Sequence, residues 1–360
     1  MMGWTHIFLA WTFTNASFEP TAWMERQINQ QVHPLESKIS IKNVRTSFKG
    51  ILATYRGDFA PIIHVKFDGE SATWIAPENM EELFKIRAAT FCEAIKEVHA
   101  RNALSPFECL VCLDDQCEKP LYLREMRAPI FCVSKSKRND RILLIPKGVF
   151  EKGRGITFKD VMEQSARTPW EMRSPKALWR PGTVQNEYLF NQDEIQPSWR
   201  LLHLGKAHPD QLDIHLGQDA GFAKIPWSSG HVISHENFAA PYLSPMQQTA
   251  YRYLIAGDQL GRLCDLEWQL FSGSVVLKVP AAQTEWFHSQ LRPYQHYIPI
   301  SLYGEDLLDR VECLAEMEEE AQQIAKTALL FAQENLSDQA VFKYFSHLLR
   351  SYITALCETP

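Results

Sequence analysis

Residues 272–300 read SGSVVLKVPAAQTEWFHSQLRPYQHYIPI. The turn Gly273–Ser274 leads into SVVLKV, a continuous apolar run of the kind found in strands that are buried on both faces. A second short apolar run, YIPI, ends the stretch. The stretch therefore predicts two strands of an α/β domain, joined by an aromatic-rich connection.

The rest of the second half extends this pattern. LLHL at 201–204 and YRYLIA at 251–256 are apolar enough to predict two more strands. Residues 307–314 and 315–336 have apolar side chains at helical spacing, which predicts two helices. Ser337 or Asp338 is a suitable N-cap for a last helix.

The first half has its own alternation of strands and helices. Apolar runs predict strands at 61–68, 73–75, 107–113, 130–133 and 142–145, and helical spacing predicts a helix over 78–98. We therefore predict an α/β fold with two Rossmann-like domains that face a cleft. The predicted divisions are an N-terminal domain at 1–165, a C-terminal domain at 166–336, and a C-terminal helix at 337–360 that packs back on the N-terminal domain.

Composition and charge exclude several classes of protein. The net charge is −6 and the pI about 6.1, so no basic field favours nucleic acid. Eight cysteines in 360 residues do not form a disulfide framework. Cys109 and Cys112 have zinc-like spacing, but three residues along a strand place them on opposite faces. The apolar N-terminus lacks the positive segment of a signal peptide, which leaves a cleaved signal as an alternative that we do not favour.

Several short motifs resemble one family. The end of the quoted stretch contains Leu291, Pro293 and the run His296–Pro299, in the order Leu-x-Pro-x-x-His-Tyr-Ile-Pro. With LEWQLFSGSVVLKV before it, this run resembles the C-terminal signature of glycosyltransferase family 90. ALWRPGTV at 177–184 and PFECLVCLDD at 106–115 are similar to two further elements of that family.

The resemblance implies a GT-B-like fold and an inverting, metal-independent transferase. Such an enzyme moves a hexose or pentose from a UDP-sugar to a hydroxyl of a glycan acceptor, here a lipopolysaccharide core or a capsule. The UDP-sugar is a donor substrate, and no cofactor is implied. We expect a cytoplasmic protein, with peripheral contact at the inner face of the membrane left open.

Inversion requires a base that takes the proton of the acceptor hydroxyl as its oxygen attacks the anomeric carbon. The resemblance assigns this role to Asp114, and Asp115 stays open as the alternative. A carboxylate at the end of a strand is suited to it, since the sheet holds its backbone. Without the motif, a solvated Asp-Asp turn would explain the pair equally well.

The leaving diphosphate requires cations or backbone N–H groups. The motif positions give the nucleotide-sugar-binding candidates Trp179, Arg180, Gly182, Thr183, Arg200, Arg262, Asp265, Gly273 and Ser274. Asp265 departs from the pattern, because many members of the family have arginine there, and Arg262 is the substitute that we consider. Pro181 is a second departure. A catalytically weakened glycan- or nucleotide-binding protein of the same fold is therefore the alternative hypothesis.

Histidines cluster between residues 203 and 235. A histidine-dependent metallohydrolase needs three or four converging ligands, and these spacings are irregular. We therefore interpret the group as histidines exposed in a loop-rich region; its members are His203, His208, His215, His231 and His235.

Overall fold

The structure is a computed structural model. It describes residues 20–54, 61–78, 80–115, 117, 127–136, 139–151, 157–181, 190–191, 194–195, 197–217, 225–226, 232–233, 238–257 and 265–357.

Eleven helices lie within these described ranges. They are α1 Ala22–Val32, α2 Ile41–Thr54, α3 Glu82–Arg101, α4 Gly148–Glu151, α5 Phe158–Arg167, α6 Pro197–Ala207, α7 Pro245–Gln248, α8 Leu266–Leu270, α9 Leu307–Glu316, α10 Glu318–Asn335 and α11 Asp338–Cys357. Short 3-10 segments lie at His33–Lys38, Trp170–Met172 and His288–Gln290.

The described part of the chain contains eighteen strands, β1–β18. Two main sheets use ten of these strands, and the rest form short pairs. The eighteen strands, in chain order, are β1 Ile62–Phe67, β2 Ala72–Ile75, β3 Phe107–Cys112, β4 Ile130–Cys132, β5 Ser134–Ser136, β6 Ile142–Leu144, β7 Ser174–Trp179, β8 Phe190–Asn191, β9 Glu194–Ile195, β10 Leu212–Ile214, β11 Leu216–Gly217, β12 Ile225–Pro226, β13 Val232–Ile233, β14 Ala239–Ala240, β15 Tyr251–Ala256, β16 Val275–Lys278, β17 Gln283–Glu285 and β18 Ile298–Pro299.

The first sheet has the order β2-β1-β3-β4-β6. β1 runs antiparallel to both β2 and β3, whereas β3, β4 and β6 are parallel. Every residue of β3, β4 and β6 is buried, as the continuous apolar runs predicted. Cys109 and Cys112 pair with Val65 and Ile62 in the register with β1, an odd separation that confirms opposite faces for the two thiols.

The second sheet has the order β10-β7-β15-β16-β18, and all its strand pairs are parallel. In chain order this is the 2-1-3-4-5 arrangement of a doubly wound sheet. The predicted strands in YRYLIA, SVVLKV and YIPI are confirmed as β15, β16 and β18. Ligands of such sheets bind beyond the carboxyl ends of the strands, so this edge is where a site is expected.

Two expectations for the second half are wrong. LLHL lies inside helix α6, because Leu201 and Leu202 are the buried face of a helix that packs on β10. The central strand β7 lies in a segment for which the sequence predicted no strand. The predicted boundary at 165/166 falls inside α5, whose Phe158 stacks on Phe271 of the second half, with ring centroids 4.4 Å apart.

The two sheets are joined at one edge. β5, which follows β4, pairs antiparallel with β17, which follows β16. The last helix, α11, returns to the first sheet, where the ring of Tyr352 packs on Phe131 and its hydroxyl donates to the backbone oxygen of Glu108. This confirms the predicted return of the C-terminal helix. Within the described ranges, no helix has the length and apolar character that a membrane span requires.

Candidate functional site

A four-residue network lies across β10, β7 and β15 of the second sheet. Asp213 is the middle residue of β10, and its Oδ1 lies 2.5 Å from Nη2 of Arg180 and 2.9 Å from Nδ1 of His215. Its other oxygen, Oδ2, accepts from the hydroxyl of Tyr251 at 2.5 Å. Arg180 and His215 directly follow β7 and β10, so the network reaches the carboxyl edge of the sheet.

Electrostatics keep Asp213 ionised. Burial opposes ionisation, but the hydrogen bonds from His215 and Tyr251 and the charge of Arg180 outweigh it, so the pKa of Asp213 is well below its usual range. Burial and the bond to Asp213 raise the pKa of Tyr251 to about 12. The network therefore combines a carboxylate, a guanidinium and a phenol that stays protonated.

Arg180 is an internal member of this network. Its side chain is only 5% exposed, and its Nη1 donates to the backbone oxygen of Pro241 at 2.7 Å. The guanidinium is thus shared between a carboxylate and a carbonyl, and its flat face is not open to solvent. Trp179 is also buried, with its indole against Gly257, where an added Cβ would lie 2.5 Å from Nε1.

Asp265 lies near the same edge, at the start of α8. Its Oδ1 accepts from the indole N–H of Trp268 at 3.0 Å. Burial, together with the charge of Asp265, raises the pKa of Tyr242, which directly follows Pro241. The structure therefore brings Asp265 and Arg180 to the same region of the sheet.

The candidate base lies at the carboxyl end of β3. Asp115 forms an ion pair with Arg87 at 3.1 Å, and the same Nη1 of Arg87 donates to the backbone oxygen of Leu113 at 2.8 Å. Asp114 accepts from the backbone N–H of Asp115 at 2.7 Å. Arg87 thus fixes the turn and neutralises Asp115, which makes Asp114 the better of the two candidates for proton transfer.

One chain of contacts leads from this turn to the second sheet. The hydroxyl of Ser134 donates to the backbone oxygen of Asp115 and lies 3.3 Å from Oε1 of Gln283 on β17. β17 follows β16 in the chain. In the second sheet β15 lies between β16 and β7, so β16 and β7 are two strand spacings, or about 10 Å, apart. Asp114 and Arg180 therefore both lie at carboxyl ends of strands that point to the junction of the sheets.

Gly273 and Ser274, which are also candidates for nucleotide-sugar binding, lie at the opposite edge of the sheet from Arg180. They precede β16, so they lie at the amino edge of the second sheet. There the guanidinium of Arg173 donates to the backbone oxygen of Gly273 at 2.8 Å and contacts the hydroxyl of Ser274 at 3.0 Å. Gly273 has φ +65°, and an added Cβ would lie 2.9 Å from the hydroxyl of Ser165, so the glycine is required by the backbone.

The remaining candidates are not collected at this site. Arg200, on α6, lies over the ring of Tyr303, 5.4 Å from its centroid. Gly182, Thr183 and Arg262 lie outside the described residues. In the part of the chain that the structure describes, no group of three His, Cys, Asp or Glu side chains is arranged to hold a metal ion.

Sequence reasoning missed Asp213, His215 and Tyr251 as members of the site. One signal was present, because LDIH alternates and places Asp213 and His215 on the same face of a strand. Tyr251 begins a different strand, and only the fold brings it to Asp213.

Comparison with known proteins identifies the family. The glycosyl transferase family 90 profile matches residues 129–360, and the chain belongs to that family. The match confirms the resemblance of the motif at 177–184 and of the C-terminal signature, whereas the motif at 106–115 lies before the matched residues.

The curated relatives are distant. Protein O-glucosyltransferase 2 of Danio rerio is 28% identical over 200 residues, which cover 55% of this chain and 37% of the relative. Protein O-glucosyltransferase 1 of Rattus norvegicus is 23% identical over 286 residues, or 75% of this chain and 67% of the relative. The chain thus spans well under half the length of the first of these relatives.

Among solved structures, Anabaena HepE in complex with UDP-glucose covers 72% of this chain and 75% of its own, with 12% identity and a TM-score of 0.42. A glycosyltransferase from Rickettsia africae covers 62% and 63%, with 11% identity and a TM-score of 0.39. At these scores the likeness is remote.

Proposed function

We propose that this protein is an inverting glycosyltransferase that moves a hexose or pentose from a UDP-sugar to an acceptor hydroxyl. One observation carries the proposal. A candidate base, Asp114, and the network of Arg180, Asp213 and His215 lie at the carboxyl ends of strands from two sheets that are joined there. The proposed arrangement is GT-B-like, with the donor on the second sheet and the acceptor on the first.

Asp114 would accept the proton of the acceptor hydroxyl while the oxygen attacks the anomeric carbon. The ion pair with Arg87 supports this assignment, because it commits Asp115 to holding the turn. The carbon–oxygen bond to the diphosphate breaks as the new bond forms, which inverts the anomeric centre. We propose that the charge that develops on the diphosphate is met by protein cations and backbone N–H groups, without a metal ion.

The sugar and the acceptor are narrower parts of the proposal. Glucose is the first donor sugar to test, because the relatives are named protein O-glucosyltransferases. For the acceptor we propose a glycan of a lipopolysaccharide core or capsule, and for the location the cytoplasm, with peripheral contact at the inner face of the membrane.

The test is a donor screen that does not require the acceptor. Purified protein is incubated with UDP-glucose, UDP-xylose, UDP-galactose and GDP-mannose, and release of the nucleoside diphosphate is measured. We expect slow hydrolysis of one UDP-sugar and none of GDP-mannose. Absence of both binding and hydrolysis for every UDP-sugar would contradict the proposal.

A second candidate function is a nucleotide- or glycan-binding protein with weakened catalysis. Asp265 favours it, because it places a negative charge where the family resemblance leads us to expect a cation. Calorimetric titration with UDP separates the two functions when combined with the screen. Binding of UDP without hydrolysis or transfer of any donor would favour the binding protein.

A further inference from the structure

The carboxyl edge of the second sheet has an imidazole that is open to solvent. The side chain of His215 is 40% exposed, compared with 21% for Asp213 and 5% for Arg180. Of the three charged or chargeable groups that meet there, His215 is therefore the one that a ligand can contact directly.

The hydrogen bond to Asp213 determines which atom of His215 would bind. Nδ1 lies 2.9 Å from the carboxylate, which as an acceptor places a hydrogen on that nitrogen. Nε2 is on the opposite side of the ring, away from the carboxylate. A hydrogen bond from Nε2–H to an anion, with Nδ1–H on the carboxylate, requires a hydrogen on both ring nitrogens.

The charges around the imidazole come from neighbouring strands. Asp213 lies on the strand that ends beside it, and Arg180, which follows β7, approaches Nδ1 at 3.4 Å. Tyr251, on β15, binds the other oxygen of Asp213. A bound anion would therefore meet a ring whose orientation is already fixed by the carboxylate and the guanidinium.

We propose that His215 binds the diphosphate of the nucleotide donor through Nε2–H, at the edge where Asp265 replaces the cation expected from the family resemblance. Asp213 and Arg180 are then positioning residues that orient the ring. This inference rests on the proposed function, since it names a residue that recognises the donor. The ligand is defined by its chemistry, which is a nucleoside diphosphate and specifically its terminal phosphate.

The experiment compares UDP with UMP, which lacks the terminal phosphate. Both nucleotides are titrated calorimetrically into the unsubstituted protein and into His215→Gln. The control variant is His208→Gln, which makes the same substitution at the amino end of β10. Thermal unfolding of each variant establishes that the fold is retained.

We expect His215→Gln to lose about tenfold in UDP affinity, in line with loss of a charge-assisted hydrogen bond. UMP affinity should change little, so the ratio of UDP affinity to UMP affinity should decrease. His208→Gln should keep both affinities.

Failure of this inference is distinct from failure of the proposed function. If the unsubstituted protein binds UDP and His215→Gln binds it with the same UDP to UMP ratio, the role of His215 is overturned and the transferase proposal stands. If the unsubstituted protein binds no UDP and hydrolyses no UDP-sugar, the proposed function fails, and the role of His215 fails with it.

Discussion

Two networks in this molecule use the same three kinds of side chain for different purposes. In the first sheet, the carboxylate of Glu108 accepts hydrogen bonds from Nε and Nη2 of Arg45, at 2.9 and 2.5 Å. It also lies 2.9 Å from Nε2 of His64. In the second sheet, Asp213 binds Arg180 and His215. Each network is a carboxylate on a strand that is held by one arginine and one histidine.

The two networks differ in which group faces solvent. In the first, the arginine side chain is 58% exposed and the histidine 10%. In the second, the arginine is 5% exposed and the histidine 40%. Glu108 is also the second residue of its strand, whereas the Asp213 network extends past the strand's carboxyl end. Position along the strand thus separates a network that packs the sheet from one that leaves a histidine exposed at the carboxyl edge.

The largest expected effect concerns the other end of the strand that carries Glu108. Asp114→Asn should lower sugar transfer by about 10²–10⁴-fold, because it removes the proposed base. Steady-state transfer assays measure this, with thermal unfolding as the check on folding. Asp115→Asn is the matched control, and full transfer by a folded Asp114→Asn would show that the base is a different residue.

Glu108→Gln should act on stability and not on chemistry. The free energy of unfolding should fall by about 2 kcal/mol, because the buried His64 loses its hydrogen-bond partner and a buried carboxylate is replaced by an amide. The pair with Arg45 contributes little, because that guanidinium is 58% exposed. Urea unfolding measures this, and transfer per folded molecule should be unchanged. A loss of transfer without a loss of stability would contradict the structural role of the first network, since that network would then take part in the chemistry.

Glu267 shows what a buried carboxylate does without such partners. Its Oε1 is buried and, in the described part of the chain, has no hydrogen-bond donor; burial and the charge of Glu285 raise its pKa from 4.5 to about 8. Between these values the folded protein retains a proton that the unfolded chain has lost, so stability should fall as the pH rises. In Glu267→Gln, this decrease in the free energy of unfolding should be smaller by about 2 kcal/mol.

Thermal unfolding between about pH 4.5 and about pH 8 measures this difference, with the exposed Glu316→Gln as control. Equal slopes for the unsubstituted protein and Glu267→Gln would mean that Glu267 ionises normally in the folded protein.

The smallest effect is expected at the edge of the second network. Tyr251→Phe removes one hydrogen bond to Asp213 and should lower the free energy of unfolding by about 1 kcal/mol. It should weaken UDP binding only a few-fold, because the bonds from Arg180 and His215 remain. Tyr294→Phe, at a ring that is 55% exposed, is the control. A loss of UDP binding as large as that expected for His215→Gln would show that the phenol itself contacts the ligand.

Much of the fold could be predicted because buried strands are apolar without interruption. β4 and β6 have this character, whereas β3, β15 and β16 each contain one charged residue, and all five were predicted within one or two residues. β7 was missed because Pro175 and Lys176 break its apolar run. LLHL was misassigned because two adjacent buried leucines fit a short strand as well as the inner face of a helix.

Less of the candidate site than of the fold could be predicted from the sequence. Asp114 could be singled out because it follows an apolar strand and matches a family motif. Asp213 and His215 are polar residues in a strand of three residues, and their partner Tyr251 is 38 residues from Asp213 along the chain. Gly273 and Ser274 precede a parallel strand and therefore lie at its amino end, a position that the motif alone does not reveal.

The return of α11 to the first sheet has a consequence for biosynthesis. Phe345 and Tyr352 fill part of the first sheet's core, against Phe91 and Phe131, yet they are translated after the whole second sheet. The first sheet cannot complete its packing on the ribosome before residue 357 has emerged. The half that is made first is therefore the half that is finished last, and its apolar surface depends on chaperones or on transient contacts in the interval.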